Sequence, residues 1–301
     1  MILVTGASGT MGSAVLNEVA KQAAKTGESY RAMYRSATEA VKAPKGTSTV
    51  IADFGKKDTL PSTLRSVTSV YIVCSPVPQL IEREWNMIDA CANVGVGHIV
   101  LSSAMGAREY RKSFPSWHRR VEDKLKSTKI SFTILRPNSF HQNVLTYYSA
   151  SVRSQGTFQA SMGNARVSFL DVRDIAVVAA KSLAGGEHSG KIYELNGPEA
   201  LTHSELAEKI AQHSGRDVRY VDIPADVQRK AMLDRGMPEW QADAILDLQA
   251  YYVKGKGGNV DGLLEQLIGR PPITMDEFLA EFAADFRPQA EAQALADAAT
   301  V

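Results

Sequence analysis

The run Gly6-Ala7-Ser8-Gly9-Thr10-Met11-Gly12, entered directly from Ile2-Leu3-Val4-Thr5, limits what this chain can fold into more than any other feature. A short apolar strand that breaks into Gly-x-x-Gly-x-x-Gly and then into helix-forming residues is the opening of a β-α-β unit that cradles a phosphate. Gly6 permits the sharp turn, Gly9 lets main-chain amides approach an anion, and Gly12 lets the helix pack closely on the strand. Ser8, Thr10 and Met11 complete the loop's contact residues. The helix start adds its partial positive charge. An ordinary glycine-rich turn would satisfy the bare pattern; the strand before it and the helix after it point to the pyrophosphate of a dinucleotide.

The first half of the chain keeps this rhythm. Strand patterns at 2–5, 30–35, 48–52, 69–74, 98–102 and 131–135 alternate with helical patterns at 12–25, 57–66, 79–93 and 116–127. Six such strands predict an α/β fold, a doubly wound parallel Rossmann sheet. After about residue 155 short strands at 167–170, 191–195 and 218–223 mix with helices at 171–184, 202–213, 238–252 and 274–284, which reads as a smaller α+β C-terminal lobe. Thr202-His203-Ser204-Glu205 fits a helix-capping box. The expected division is a dinucleotide-binding domain over 1–155, a substrate-binding lobe over 156–287 interwoven with it, and a flexible tail over 288–301. The glycine-rich stretch 255–259 reads as a flexible loop.

Composition narrows the partners. With 44% apolar residues, 22% charged residues and a net charge of +1, the 301-residue chain offers no basic surface for nucleic acid or an anionic membrane. No stretch approaches the roughly 20 apolar residues of a membrane span. A glycine loop at Gly6 leaves no space for a signal peptide, so cytoplasmic residence is expected. Cys74 and Cys91, the two cysteines, have neither metal-ligand nor redox spacing, and no metal is expected. Monomer and homodimer both stay open.

The end of the second strand chooses between the two dinucleotides. An acidic residue there accepts the ribose 2′-hydroxyl of NAD, whereas an Arg binds the 2′-phosphate of NADP. The residues are Met33-Tyr34-Arg35-Ser36, with Arg31 on the same strand. The planar fork of Arg35 suits a phosphate dianion and Ser36 adds a donor, so NADP(H) is expected, with NADH as an alternative cofactor. A solvated strand-end Arg is the other reading. In Ala52-Asp53-Phe54, Asp53 would accept from the adenine amino group and Phe54 would cover the ring, although a turn-capping Asp before a core Phe explains the same residues. Cys74-Ser75-Pro76 would meet the nicotinamide ribose.

Six segments together carry a family resemblance: Val4 to Gly12, Leu101-Ser102-Ser103, His118-Arg119-Arg120-Val121-Glu122, Phe132 to Asn138, Asp171-Val172-Arg173-Asp174-Ile175-Ala176, and Gly269-Arg270-Pro271-Pro272. Over nearly its whole length the chain resembles the NmrA-like group of atypical short-chain dehydrogenases, which includes flavin-free azo-dye, quinone and triphenylmethane-dye reductases. Conventional members of the superfamily use a Tyr acid with a Lys four residues later. Here Tyr110 is followed at that position by Phe114, and the one Tyr-x-x-x-Lys match, Tyr252 to Lys256, falls in the C-terminal half beside glycines. An isolated ketone needs a proton delivered to its developing alkoxide. A quinone, azo bond or cationic dye spreads the arriving charge over a conjugated system, and any proton it needs can come later from water.

The resemblance implies that His118 and Glu122, spaced as His-x-x-x-Glu, line the nicotinamide pocket, with neutral His118 as donor; a structural helix-face pair has the same spacing. Ser102 and Ser103 stand where the superfamily keeps an active-site Ser, and a Ser pair that ends a strand is also ordinary turn chemistry. Main-chain groups around Pro137 and Asn138 would orient the carboxamide, a plain helix-initiating Pro137 being the alternative, and Phe140 and Asn143 would face the substrate. Tyr147 and Tyr252, with Tyr148, Tyr251, Phe158, Met162 and Trp240, would wall a flat pocket for a planar aromatic molecule, core packing being the alternative for each. The expected activity is an NADPH-dependent, flavin-free reduction of an azo compound, quinone or triphenylmethane dye. The family's regulatory side supplies the alternative, an NADP(H)-sensing protein that binds a protein partner without turnover.

Overall fold

Residues 1–107, 109 and 114–288 are described by the computed structural model. Tyr110 and the greater part of the expected tail, 289–301, lie outside the described residues. The chain divides into two compact units, one of Met1–Pro137 with Val172–Leu195, the other of Asn138–Asp171 with Asn196–Val301.

In the first unit β1 (Ile2–Val4) is three buried aliphatics in a row, a composition that suits a strand covered on both faces. It pairs in parallel with β2 (Tyr30–Tyr34) on one side and β4 (Ser69–Ile72) on the other. β3 (Ser48–Ile51) lies outside β2, while β5 (His98–Ser102) and β6 (Ser131–Pro137) follow β4. The seventh strand, β8 (Lys191–Leu195), pairs in parallel with β6, so this segment from the second half of the sequence completes the first unit's sheet. The order β3-β2-β1-β4-β5-β6-β8 is that of a doubly wound fold.

Strand residues of alternate parity face opposite layers. Leu3, Val70, Ile72, Ile99, Leu101 and Ile134 meet Met87, Ile88 and Cys91 of α4 (Leu80–Val94) and Val121 and Leu125 of α5 (Phe114–Lys126). On the other face α1 (Thr10–Thr26) and α7 (Val172–Leu183) pack together, burying Val15, Leu16 and Val19 from one and Ile175, Val178 and Ala179 from the other. Each such aliphatic removed from water contributes about 1.5–3 kcal/mol. Two single-turn helices, α2 (Ala37–Ala40) and α3 (Leu60–Thr63), sit on the β2–β3 and β3–β4 connections.

The second unit holds a two-stranded parallel sheet of β7 (Thr157–Ala160) and β9 (Arg219–Asp222), with α6 (His141–Gln155) and α8 (His203–Ser214). Its remaining helices are α9 (Ala225–Asp234), α10 (Glu239–Val253), α11 (Leu263–Ile268) and α12 (Met275–Glu281). Thr202 forms the expected capping box: its hydroxyl accepts from the Glu205 amide at 3.1 Å, and its own amide donates to Glu205 at 2.8 Å.

Two expectations are corrected here. Residues 167–170 form no strand but two isolated bridges, Val167 to Leu201 and Phe140 to Leu170, because their neighbours in space are single residues of loops. The glycine-rich stretch is anchored: the Gly257 carbonyl accepts from the Ser168 amide at 2.8 Å and from the Asn138 side chain at 2.9 Å. A Cβ on Gly257 would lie 2.2 Å from the Tyr252 ring, so the absent side chain is what lets the ring pack there.

Candidate functional site

The glycine loop has the geometry its spacing demands. Gly6 sits at φ +61°, and a Cβ there would come within 2.6 Å of Val73 Cγ1. A Cβ on Gly12 would lie 2.0 Å from the Gly6 carbonyl oxygen, so helix and strand approach too closely for any side chain. The Gly9 amide closes the turn onto the Gly6 carbonyl at 2.9 Å. Gly9 is also the N-cap of α1: no side chain caps this helix and its first turn carries no acidic residue. Its first amides therefore face outward with their partial charge uncompensated, which suits the pyrophosphate of a dinucleotide. Ser8 and Thr10 are exposed beside them, and Met11 is buried beneath. Thr5 ties the loop to β4, donating to the Tyr71 carbonyl at 2.8 Å and accepting from the Val73 amide at 3.2 Å.

At the end of β2 the Arg35 side chain is 67% exposed, and its guanidinium donates to Glu39 Oε1 at 3.2 Å. Ser36 caps α2 by accepting from the Glu39 amide at 3.2 Å. Arg31 is turned elsewhere, donating to the Thr63 carbonyl at 3.0 Å. Asp53 accepts from the Gly55 amide at 2.8 Å, and Phe54 is buried in the core, the arrangement of the turn-and-core alternative.

After β4, Ser75 and Pro76 are exposed. Burial pushes the Cys74 thiol up to about 12; the Glu84 carboxyl adds to the rise, and the neighbouring Arg83 and Arg35 guanidinium groups oppose it. Glu84 itself is fully buried on α4, and neither of its oxygens has a hydrogen-bond partner. Desolvation raises its carboxyl well above the usual value, against a smaller opposing pull from the Cys74 main chain, which stays outside hydrogen-bonding geometry.

Glu122 is the centre of a buried ion network. Arg136 grips it with two donors, Nε to Oε1 at 2.8 Å and Nη2 to Oε2 at 2.6 Å; the Ser103 hydroxyl donates at 2.7 Å and Lys126 at 3.0 Å. Burial alone would raise this carboxyl, but the Arg136 and Ser103 hydrogen bonds outweigh it and hold the group below the usual carboxylate range. His118, one turn earlier on α5, is 7% exposed. Burial lowers its pKa to about 4 against the pull of Glu122, so the imidazole is neutral at physiological pH. The Ser102 hydroxyl lies beside the buried Tyr71 phenol, on the opposite sheet face from Ser103. Pro137 ends β6, its carbonyl accepting from the Met105 amide at 3.1 Å.

In the second unit the Asn138 amide donates to Ser168 Oγ at 2.8 Å, to the Gly257 carbonyl at 2.9 Å and to Asn196 Oδ1 at 3.2 Å, so its NH2 group is engaged within that unit. Phe140 is the N-cap of α6, and Asn143 and Tyr147 follow at spacings of three and seven, on one helix face. Asn143 donates to Ser139 Oγ at 3.2 Å, and Tyr147 is 51% exposed. Tyr148 belongs to the interior: it stacks on Phe158 with ring centroids 4.4 Å apart and bonds His203 at 2.9 Å. Tyr252 is 5% exposed, in edge contact with Tyr251.

Sequence reasoning did not single out Arg136, Glu39, Arg83 or Glu84. A cation in the apolar strand Phe132-Thr133-Ile134-Leu135-Arg136 was a usable signal, because a buried charge requires a partner. Glu84 gave a similar one, at the core spacing of Leu80, Met87 and Ile88. Among the described residues no cluster of His, Cys, Asp or Glu could hold a metal ion, and no helix is long and apolar enough to cross a membrane.

A doubly wound sheet with an uncapped glycine turn at its first helix defines a dinucleotide-binding Rossmann protein. Residues 1–279 match the NmrA-like family, and the chain belongs to it. An NAD(P)H azoreductase of Xenophilus azovorans is 34% identical over 288 residues, covering 95% of this chain and 99% of that protein. A (4-alkanoyl-5-oxo-2,5-dihydrofuran-3-yl)methyl phosphate reductase of Streptomyces griseus is 31% identical, covering 96% of this chain and all of that one (100%). The solved NADPH complex of the Escherichia coli quinone oxidoreductase QOR2 superposes with a TM-score of 0.86 at 28% identity, covering 94% of this chain and 99% of the other.

Proposed function

We propose that this NAD(P)H-dependent oxidoreductase reduces a conjugated acceptor, a quinone, an azo compound or a triphenylmethane dye, by direct hydride transfer from NADPH without flavin. The observation that carries the reading is the uncapped start of α1 between Gly6 and Gly12, a cradle that a Cβ would fill. In that cradle the main-chain amides hold the pyrophosphate, and Arg35 holds the ribose 2′-phosphate. The bound nicotinamide supplies the hydride.

The protein's own groups favour an acceptor that needs little acid catalysis. Glu122 is kept ionised by Arg136, so it has no proton to give. Its role is to hold Ser103 and Arg136 in place. His118, neutral and one turn away, is assigned to the nicotinamide side of the pocket as a hydrogen-bond donor. Phe140, Asn143 and Tyr147 are assigned to the acceptor, for which a planar aromatic molecule offers the best stacking. One hydride and one proton from water complete the two-electron reduction of a quinone or an azo bond, a cationic triphenylmethane dye is neutralised by the hydride alone, and the site contributes proximity and orientation.

The test is NADPH oxidation by the purified, flavin-free protein with a panel of naphthoquinones, azo dyes and cationic dyes, extended to an oxo-dihydrofuran because of the Streptomyces relative. Steady oxidation with at least one quinone or dye is the expected result. Tight NADPH binding with no consumption across the panel would replace this reading with that of a dinucleotide-sensing regulator.

A further inference from the structure

Arg35 is already partnered, and its partner is an acid. Glu39 Oε1 accepts from the Arg35 guanidinium at 3.2 Å, and Glu39 Oε2 accepts from the Arg35 main-chain amide at the same 3.2 Å. Ser36 fixes the residue from the other side, its hydroxyl accepting from the Glu39 amide at 3.2 Å. Two hydrogen bonds thus hold the carboxylate at the end of β2 and a third holds the Glu39 main chain, all within five residues, and the side chain is only 29% exposed. In a Rossmann fold the end of this strand is where the ribose 2′-substituent of the cofactor arrives. A chain with Arg35 alone would offer that position a cation. This chain offers it an ion pair.

The two dinucleotides meet that pair differently. A 2′-phosphate dianion that takes the Arg35 fork comes up against a carboxylate 3.2 Å from the same guanidinium. Either Glu39 gives up both its hydrogen bonds and swings away, or the repulsion between two anions persists. A 2′-hydroxyl brings no such conflict: it donates to the carboxylate, and the Arg35–Glu39 pair survives intact.

We infer that Glu39 is a specificity-determining residue, which lowers the preference for NADPH that Arg35 would otherwise impose and supplies the acceptor that lets NADH bind. The inference rests on the assignment of Arg35 to the 2′-phosphate. Glu39→Gln is a suitable probe, because Gln removes the charge and keeps one side-chain acceptor oxygen at this position of the cap.

The experiment measures dissociation constants of NADPH and NADH by fluorescence titration for wild type, Glu39→Gln and Arg35→Ala, with thermal melts to confirm folding. Glu39→Gln should tighten NADPH and leave NADH unchanged or weaker, moving the NADPH-to-NADH affinity ratio by about three- to tenfold. Arg35→Ala should weaken NADPH selectively. An unchanged or reduced ratio in a folded Glu39→Gln protein, with Arg35→Ala behaving as expected, overturns the role of Glu39 alone. An Arg35→Ala protein that binds both cofactors as wild type does overturns the phosphate assignment and the role of Glu39 together.

Discussion

A charge buried with its partner and a charge buried without one behave differently, and both occur within a few residues of the candidate site. Arg136 is 4% exposed and Glu122 is fully buried, joined by two charge-assisted hydrogen bonds. Removing one member strands the other in a low dielectric, which costs about 3–5 kcal/mol. Arg136→Met should fall at the lower end of that range, because Lys126 and Ser103 still reach the carboxylate; urea unfolding measures it. A loss under about 1 kcal/mol would show that the pair is not what holds Glu122. Glu84 is the opposite case, a buried carboxyl whose folded pKa lies well above the usual value near 4.5. Its sign follows from linkage: below about pH 4.5 both folded and unfolded chains hold the proton, and there is no penalty. As pH rises toward the folded pKa only the unfolded chain releases it, and stability falls by roughly 1.4 kcal/mol per unit. Glu84→Gln removes this dependence, so the variant should gain on wild type between about pH 5 and pH 7, and parallel stability curves over that interval would contradict the assignment.

At the scale of elements, most of the fold was legible because period and punctuation agree. Six parallel strands and the glycine turn stand where the apolar runs and the Gly6, Gly9, Gly12 spacing put them. Where the two signals part, the sequence says less. Helix α6 buries only His141, Val144 and Val152 of its fifteen residues, so it shows little apolar period. β7 is four residues, Thr157 to Ala160, too short for alternation to stand out. The glycines at 255–258 suggested freedom, yet Gly257 is fixed by Ser168 and Asn138, partners about 90 and 120 residues away that no local pattern reveals. The site is split in the same way: its loop is local and legible, whereas the grip of Arg136 on Glu122 joins a strand to a helix fourteen residues earlier. The glycine turn carries its own prediction. Gly12→Ala forces a methyl group to within 2.0 Å of the Gly6 carbonyl, so the turn must open and its amides lose their aim. Wild type in NADPH at a hundred times its Kd should gain about 2.7 kcal/mol, a rise of several degrees in Tm, and the variant should gain none. A variant stabilised as wild type is would mean that the cofactor does not use this turn.

For the whole molecule the question is what length of chain folds alone. An expected domain of 1–155 ends before α7 and β8, which the contact pattern assigns to the same unit as β1–β6. Without Val172–Leu195 the sheet loses its seventh strand, leaving β6 as an unpaired edge, and α1 loses the helix that covers it. Val172, Ile175, Val178 and Leu183 are buried on α7, and at about 1.5–3 kcal/mol each they account for roughly 6–12 kcal/mol. That is as large as the roughly 5–15 kcal/mol by which a typical domain is stable. A fragment of 1–155 should therefore lack a cooperative thermal transition and fail to bind NADPH, even though it carries the whole glycine loop. Supplying 172–195 in trans, or fusing it after residue 137 through a flexible linker, should restore part of both, read by circular dichroism and cofactor fluorescence. If the bare 1–155 fragment instead melts cooperatively and binds NADPH, α7 and β8 are dispensable, and the boundary belongs where the sequence rhythm changes rather than where the sheet ends.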